Sequence, residues 1–309
     1  MSKVLVISGP TATGKTELGV ELALRLGGEV VSADSMQLYK LMDIGTAKPT
    51  PEETRGVPHH MIDVVSPFER YSVSRYVQEA GLAVDDVLSR GRLPIIVGGT
   101  GLYIESLILG RDFSDSEDDF ELRRRLEAEY DAEGGERMLE KLSQYDPDRA
   151  AKLHANDKKR IVRALELAHG GTTITRHDEN SRKTPPRYEA DYIILNFEER
   201  QRLYDRIDLR VDRMMERGLL TEVQSLLDLG LTPGHTAMQA IGYKELCAAL
   251  NGEYSVSEAV ELIKRSSRRY AKRQISWWTR NPSALRISWR EAPNISEGVR
   301  ISTEFVTGK

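Results

Sequence analysis

The chain has 309 residues, 39% of them hydrophobic and 30% charged, with a formal net charge of −4. That length exceeds the usual size of one hydrophobic core, so one large domain with an insertion, or two domains, is expected of an otherwise ordinary globular composition. A single cysteine, Cys247, excludes an intrachain disulfide, and the opening apolar run is too short for a signal peptide or membrane span, so a cytoplasmic protein with no membrane partner is expected.

Val4-Leu5-Val6-Ile7-Ser8 reads as a buried parallel strand, and Leu18, Leu22, Ala23 and Leu26 mark the helix after it. Between them, Gly9-Pro10-Thr11-Ala12-Thr13-Gly14-Lys15-Thr16 fits the phosphate-loop pattern G-x-x-x-x-G-K-[ST] at every required position. In such a loop backbone N–H groups converge on phosphate oxygens at a helix N-terminus, where the dipole also favours an anion. Lys15 is placed to reach a terminal phosphate and the Thr16 hydroxyl to hold Mg²⁺, so the chain is expected to bind a polyphosphate or a pyrophosphate.

A second strand, Glu29 to Ala33, ends at Asp34-Ser35, and His60 to Val65 is a candidate third. Ser72 can cap a helix whose apolar positions run from Val73 through Tyr76, Val77, Ala80 and Val84 to Val87 and Leu88, stopping before Gly91. Leu93 to Val97 is a further strand, followed by Gly98-Gly99-Thr100-Gly101 and a helix from Leu102. This alternation predicts an α/β fold, a phosphate-loop-type parallel sheet flanked by helices, with ligands at the carboxyl ends of the strands. The phosphate loop, Asp34-Ser35 and Gly98 to Gly101 then share one rim.

From about residue 112 to 186 the pattern becomes charged and helical, with Leu122, Leu126, Met138, Leu139, Leu142, Ile161, Leu165 and Leu167 as core candidates. We read 112–186 as a helical insertion in a core made of 1–111 and 187–309, with the polar stretch Gly170 to Pro186 as a flexible connection. A strand follows at Tyr192 to Leu195, then helices at Glu198 to Arg217, Thr221 to Leu229, Ala237 to Leu250 and Ser255 to Thr279. The last twenty residues are weakly patterned and read as loosely attached.

Several residues carry more than one reading. No acidic residue ends the strand Leu93 to Val97, which weakens a nucleotide-hydrolase reading; Gly98 to Gly101 suits either a tight turn with Thr100 as cap or a backbone approaching a ligand. Asp34 can cap a helix, hold Mg²⁺ through water, or act as a base. Charge is unevenly spread: Arg111 to Glu136 holds eleven acidic residues against four basic ones, whereas Lys264 to Arg280 holds seven basic residues and no acidic one. In that last helix Lys264, Arg268 and Lys272 form one row and Arg265, Arg269 and Arg273 the next, with Tyr270, Trp277 and Trp278 interleaved. Such a helix is either a solvated face with core aromatics or a stripe for a phosphate backbone with rings to stack on bases. His59-His60 has no matching cluster of ligands, so no structural metal is expected.

Taken together these stretches resemble the tRNA dimethylallyltransferases. The resemblance is carried by Gly9 to Thr16, SADSMQLYKLMDIGTAKP at 32–49, VGGTGLYI at 97–104, NDKKRIVRALE at 156–166, LYDRIDLRVDRMMERGLLTE at 203–222, AMQAIGYKEL at 237–246 and RYAKRQISW at 269–277. They occur in family order; the loop alone is not family-specific, but its combination with DSMQLY, GTAKP and GGTGLY is. The chain departs from the family's usual turn at Thr172 to Thr175, and no cysteine- and histidine-bearing finger follows the core, as in the compact bacterial form.

The resemblance implies transfer of a dimethylallyl group from dimethylallyl diphosphate to the exocyclic amine of the adenosine 3′ of the anticodon in tRNA, with Mg²⁺ and release of diphosphate, by a monomer. It implies that Gly9 to Thr16 hold the diphosphate with Arg210 (Arg206 as second choice), that Thr100 bonds the diphosphate near its departing oxygen, and that Asp34 accepts the amine proton. It further implies that the anticodon stem-loop is contacted by Asp34, Ser35, Met36, Gln37 and Thr100, by Arg123, Lys159, Arg160, Ile161, Val162 and Arg163 of the insertion, by Gln239, Ala240, Ile241, Gly242, Tyr243 and Lys244, and by Arg269, Lys272 and Arg273. Three alternatives stand beside it: prenylation of free adenine nucleotides, which need neither the insertion nor the basic helix; a nucleoside-type kinase using the loop on ATP; and a nucleotide-gated RNA-binding module without catalysis.

Overall fold

The computed structural model describes residues 3–111, 120–175 and 185–308. Much of the Gly170 to Pro186 connection lies outside the described residues. The chain divides into two compact units, residues 1–108 with 187–309 and residues 109–186.

Among the described residues the larger unit is built on six strands: β1 Lys3–Ser8, β2 Gly28–Ser32, β3 His59–His60, β4 Leu93–Val97, β5 Glu189–Phe197 and β6 Leu285–Trp289. They form one sheet in the order β3-β2-β4-β1-β5-β6, and every pairing is parallel. Alternate residues of the central strands feed two apolar layers. Val4, Val6, Val31, Ile96 and Ile194 face one, while Leu5, Ile7, Val30, Ile95, Val97, Ile193 and Leu195 face the other. Strands buried on both sides explain why the sequence shows unbroken apolar runs there instead of alternation. Because the chain leaves β1 toward β2 on one side and returns beside it as β5 on the other, the carboxyl end of β1 sits where the strand order reverses, the usual place for a ligand crevice.

Ser72 caps the Val73–Ser89 helix, its side chain accepting from Arg75 N–H, and the chain leaves the helix at Arg90. The third strand is shorter than His60 to Val65: Met61 and Asp63 take positive φ of 63° and 56°, which turns the chain, and Val65 keeps only an isolated bridge to Tyr39. Nor is Ala237 to Leu250 one helix. A 3₁₀ turn at Ala237–Gln239 ends in extended Ala240, Gly242 has a positive φ of 100°, and the α-helix begins only at Tyr243. The tail is not loosely attached. β6 extends the sheet beside β5, and the Ile295–Thr307 helix packs on the Lys15–Leu26 helix, with Trp289 and Val299 in the same apolar layer as Leu18.

In the smaller unit, helices Phe120–Glu133, Gly135–Ser143, Pro147–Ala150 and Lys158–His169 enclose Leu126, Met138, Leu142, Ile161, Val162, Ala164 and Leu165. Leu122 and Leu139 pack at its margin, and Leu167 falls outside it. Buried Asp146 caps the short Pro147–Ala150 helix and also accepts from the Thr175 amide at 3.0 Å and hydroxyl at 2.6 Å, which fixes the Thr172 to Thr175 stretch to this unit.

Away from the ligand rim, buried Glu29 of β2 accepts from Arg90 and pairs with His60 of β3 at 2.8 Å. The Arg90 guanidinium, followed by His60, holds the Glu29 carboxyl down at about 2 against the pull of burial. A depressed carboxyl contributes stability above its unfolded value of about 4.5 and loses it as pH falls toward 2. Glu29→Gln is therefore expected to cost about 1 kcal/mol in urea unfolding at neutral pH, because the arginine side of the pair is half in solvent. The gap between variant and parent narrows as pH is lowered from 4.5 toward 2.

Candidate active site

The phosphate loop leaves β1 through Gly9 at φ 137°, where a Cβ would stand 2.2 Å from the Leu195 carbonyl oxygen of β5. Only glycine lets the two backbones pass that closely. The loop's carbonyls are taken up by side chains: Pro10 O accepts from Thr13 Oγ1 at 2.8 Å and Lys15 Nζ at 2.7 Å, and Ala12 O from Arg206 Nε at 3.1 Å. Gln274, buried on the long Val256–Trp278 helix, accepts from Thr11 N–H at 3.1 Å and donates to Gly99 O at 3.0 Å. One amide thus joins the phosphate loop to the Gly98–Gly101 turn.

Lys15, Thr16, Asp34 and Arg210 line a cavity of about 400 Å³, together with Thr11, Gly98, Gly99 and Tyr270. A neighbouring cavity of about 730 Å³ shares Lys15, Thr16 and Arg210 and is edged by Lys48, Arg55, Arg206, Arg213 and Arg217. Burial, and then Arg210, push the Lys15 ammonium down to about 7, with Asp34 partly opposing. Burial also lowers Arg210, against the pull of Asp34 and Glu53. Two half-buried cations near Asp34 and Glu53 make a site that an anion would relieve.

Asp34 caps no helix. Its Oδ1 accepts from Met36 N–H at 2.9 Å in a turn of its own, which leaves the second oxygen uncommitted by any hydrogen bond between described residues. Thr100 Oγ1 accepts from Ser35 N–H at 3.1 Å, so its hydroxyl holds the Asp34 turn instead of capping the Gly101–Leu109 helix, and Thr100 is not itself on the cavity wall. Tyr270, pushed up to about 12 by burial and then by Asp34, stays a neutral phenol on that wall.

Ser35, Met36, Gln37, Gln239, Ala240, Ile241, Gly242, Lys244 and Arg273 also face the cavity. The segment that bears the first three has little regular structure and is held by buried polar contacts. Gln37 accepts from Ser32 and donates to the Thr46 and Ala47 carbonyls; Lys48 bonds Tyr39 O, Asp43 and Asp63. Glu222 accepts from the N–H groups of Asp43, Ile44 and Gly45 and from the Tyr243 hydroxyl. That removes Tyr243 from the expected RNA contacts: it is fully buried and spent on Glu222.

The basic helix also needs correction as a continuous stripe. Lys264 pairs with Asp212 at 2.8 Å and Arg268 with Asp208, both from the Arg200–Glu216 helix. Trp278 is core. Arg265, Arg269 and Lys272 remain exposed, without an ion pair among the described residues, and Arg273 lies over the Tyr270 ring. In the smaller unit Ile161 and Val162 are buried core and offer no side chain to RNA. Arg123 and Arg163 are bonded to Glu166 and Arg160 to Asp157, while Lys159 is exposed.

Gln274, Glu222 and Trp289 were not singled out from sequence. Gln274 carried a readable signal: it falls on the same helical face as buried Ile263, Ala271 and Trp278, and an amide on a buried face must find partners.

Against known proteins, the family described as IPP transferase matches residues 37–281, and that described as isopentenyl transferase matches residues 2–65. A tRNA dimethylallyltransferase of Acetivibrio thermocellus is 50% identical over 279 residues, 90% of this chain and 89% of its own. One from Carboxydothermus hydrogenoformans is 47% identical over 288 residues, 93% of this chain and 91% of its own. The crystal structure of the tRNA isopentenylpyrophosphate transferase of Bacillus halodurans superposes with a TM-score of 0.75 at 41% identity, covering 100% of this chain and 96% of that one. A eukaryotic dimethylallyltransferase acting on tRNA gives 0.84 at 29% identity, covering 100% and 80%. With the matched family spanning most of its length, and with relatives this similar over nine-tenths of it, the chain belongs to the IPP transferase family of tRNA dimethylallyltransferases.

Proposed function

We propose that this chain transfers a dimethylallyl group from dimethylallyl diphosphate to the exocyclic amine of an adenosine in tRNA, the one 3′ of the anticodon, and releases diphosphate. The observation that carries the reading is the sheltered pair Lys15 and Arg210 facing a carboxylate, Asp34, with an oxygen to spare. The amine nitrogen forms a bond to the allylic methylene carbon, the carbon–oxygen bond breaks, and its electron pair leaves on diphosphate. Lys15, Arg210 and the loop amides stabilise that developing charge. The free Asp34 oxygen takes the amine proton, without which a nitrogen conjugated into a purine is a poor nucleophile. Thr100 steadies the Asp34 turn by accepting from Ser35 N–H, and its hydroxyl is also hydrogen-bonded to Tyr270.

Among the described residues no three His, Cys, Asp or Glu side chains form a metal cage, whereas the Thr16 hydroxyl faces the cavity beside Lys15. That single donor fits Mg²⁺, an ion that keeps its waters and binds largely through substrate phosphates; Thr16 would hold it, and it would add to charge neutralisation on the leaving group. The adenosine must leave its stack to reach the cavity. We further propose that Arg269, Lys272 and Arg273, with Lys159 and its neighbours in the smaller unit, hold tRNA phosphates, and that the protein works as a cytoplasmic monomer. Among the described residues no helix is long and apolar enough to cross a membrane.

Incubation with dimethylallyl diphosphate, Mg²⁺ and unmodified tRNA, followed by nucleoside mass analysis, should show the five-carbon unit on one adenosine; AMP in place of tRNA should not be modified. Asp34→Ala should lower kcat by about 10²- to 10⁴-fold while donor binding stays within about threefold. Near-normal turnover would remove Asp34 from the chemistry.

The lowered Lys15 gives a pH signature. Diphosphate favours the ammonium, so at about pH 8, where the donor is already fully ionised, binding takes up close to one proton. Donor affinity then falls as pH rises above about 7, where the free lysine is neutral. Calorimetry in two buffers of different ionisation enthalpy reads the uptake directly, and Lys15→Met should abolish it.

Arg269→Gln with Lys272→Gln should raise the KM for tRNA about tenfold and reduce the slope of log affinity against log salt by about 2, with the donor KM unchanged.

A further inference from the structure

A phosphate loop works only if its amides point inward. Each peptide is planar, so an N–H aimed at the ligand sends the carbonyl of the preceding residue the opposite way, into the protein. There the carbonyl needs a donor. For the peptide joining Thr13 to Gly14 that donor comes from the far end of the chain: Trp289 Nε1–H donates to Thr13 O at 2.9 Å, in a buried contact. Thr13 is fully buried and Trp289 nearly so. The same tail covers Gly14 from behind, since a Cβ there would meet Ile295 Cδ1 and Pro293 Cβ at 3.2 Å.

Trp289 is itself well fixed. It is the last residue of β6, in register with Phe197 of β5, and its carbonyl accepts from Glu198 N–H at 3.0 Å. Its ring lies in the apolar layer with Leu18 and Val299. An indole has one donor and no acceptor, so this side chain can serve no second partner while it holds the loop.

We propose that Trp289 is a positioning residue of the diphosphate site: through the Thr13 carbonyl it aims the Gly14 amide at the donor's phosphates. The proposal rests on the loop being that site. It gives the β6 strand and the helix after it a purpose in donor binding, although neither lines the two cavities.

The test separates aim from stability. Trp289→Phe keeps a ring and removes the N–H; replacement of Trp289 by its benzothiophene isostere keeps the bicyclic shape and removes the same N–H. Val299→Ala loosens the same apolar layer without touching the bond. Both Trp289 replacements should raise the KM for dimethylallyl diphosphate about tenfold and weaken inorganic diphosphate binding by a similar factor, with the KM for tRNA unchanged. Val299→Ala should lower the melting temperature with less than about a twofold change in donor KM. If Val299→Ala raises the donor KM as much as Trp289→Phe, or if the isostere keeps the parent's KM, the proposal is overturned. Lys15→Met is measured alongside. Loss of diphosphate binding there with normal Trp289 variants refutes the role of Trp289 alone, whereas normal binding in Lys15→Met removes the loop as the diphosphate site and this proposal with it.

Discussion

The site depends on an imbalance of charge kept away from water. Lys15 and Arg210 share a cavity with Asp34, and burial lowers both cations before any ligand arrives. Their hydration is reduced without full replacement, because Asp34 beside them is partly committed to Met36. An anion of two phosphates restores what is missing, and more so as the bond to carbon breaks and charge grows on oxygen. Preorganised cations of this kind favour the charge-separated state over the neutral one, which is the direction an allylic transfer requires. The same imbalance makes the lysine's protonation part of donor binding and not a fixed background.

Such a cavity has to be held open by groups that tolerate burial, and here they are polar side chains drawn from distant parts of the chain. Gln274 ties the phosphate loop to the Gly98–Gly101 turn, and Glu222 gathers three amides of the 43–45 segment together with Tyr243. Each is satisfied only when two separate loops are in place. Buried polar groups with this property make the loops form together, since a half-formed set leaves donors and acceptors unpaired in a low dielectric. The segment between Asp34 and Pro49 needs this most, because apart from short turns it has no helix or strand ladder of its own to spend its amides on.

What could be read from sequence follows the same division. Strands β1, β2, β4 and β5, the phosphate loop and the Ser72 cap were legible because each is a local rule: an apolar run, a glycine–lysine spacing, a hydroxyl before a helix. Long-range pairing left no local trace. Arg268 looks free until Asp208 is brought against it from a helix sixty residues earlier in the chain, and Lys264, which has a local partner in Glu261, gains Asp212 in the same way. Ile161 and Val162 sit in a charged stretch whose family motif points to RNA, but the helical period turns them into the core. The break at Gly242 was visible as a glycine inside an apolar pattern and was read through. The tail hid for another reason: β6 is a five-residue edge strand in which Leu285, Ile287 and Trp289 alternate with Arg286 and Ser288, too short a run to stand out before its neighbour β5 is known.

The Val256–Trp278 helix shows how one element meets opposing demands on its basic residues. Its inner face carries Gln274, on which two loops hang. Lys264 and Arg268 on its flank are neutralised by Asp212 and Asp208, which lie on the helix that also carries Arg206 and Arg210. Those ion pairs tie this helix to the one that carries Arg210. Arg265, Arg269, Lys272, Arg273 and, just past the helix, Arg280 remain as exposed positive charge without an ion pair among the described residues. A polyanion approaching this segment can release counterions from that outer set, so its share of the salt dependence of RNA binding reports five charges and not the seven that the sequence displays. The inner pair is held by Asp212 and Asp208 and so offers less to a polyanion.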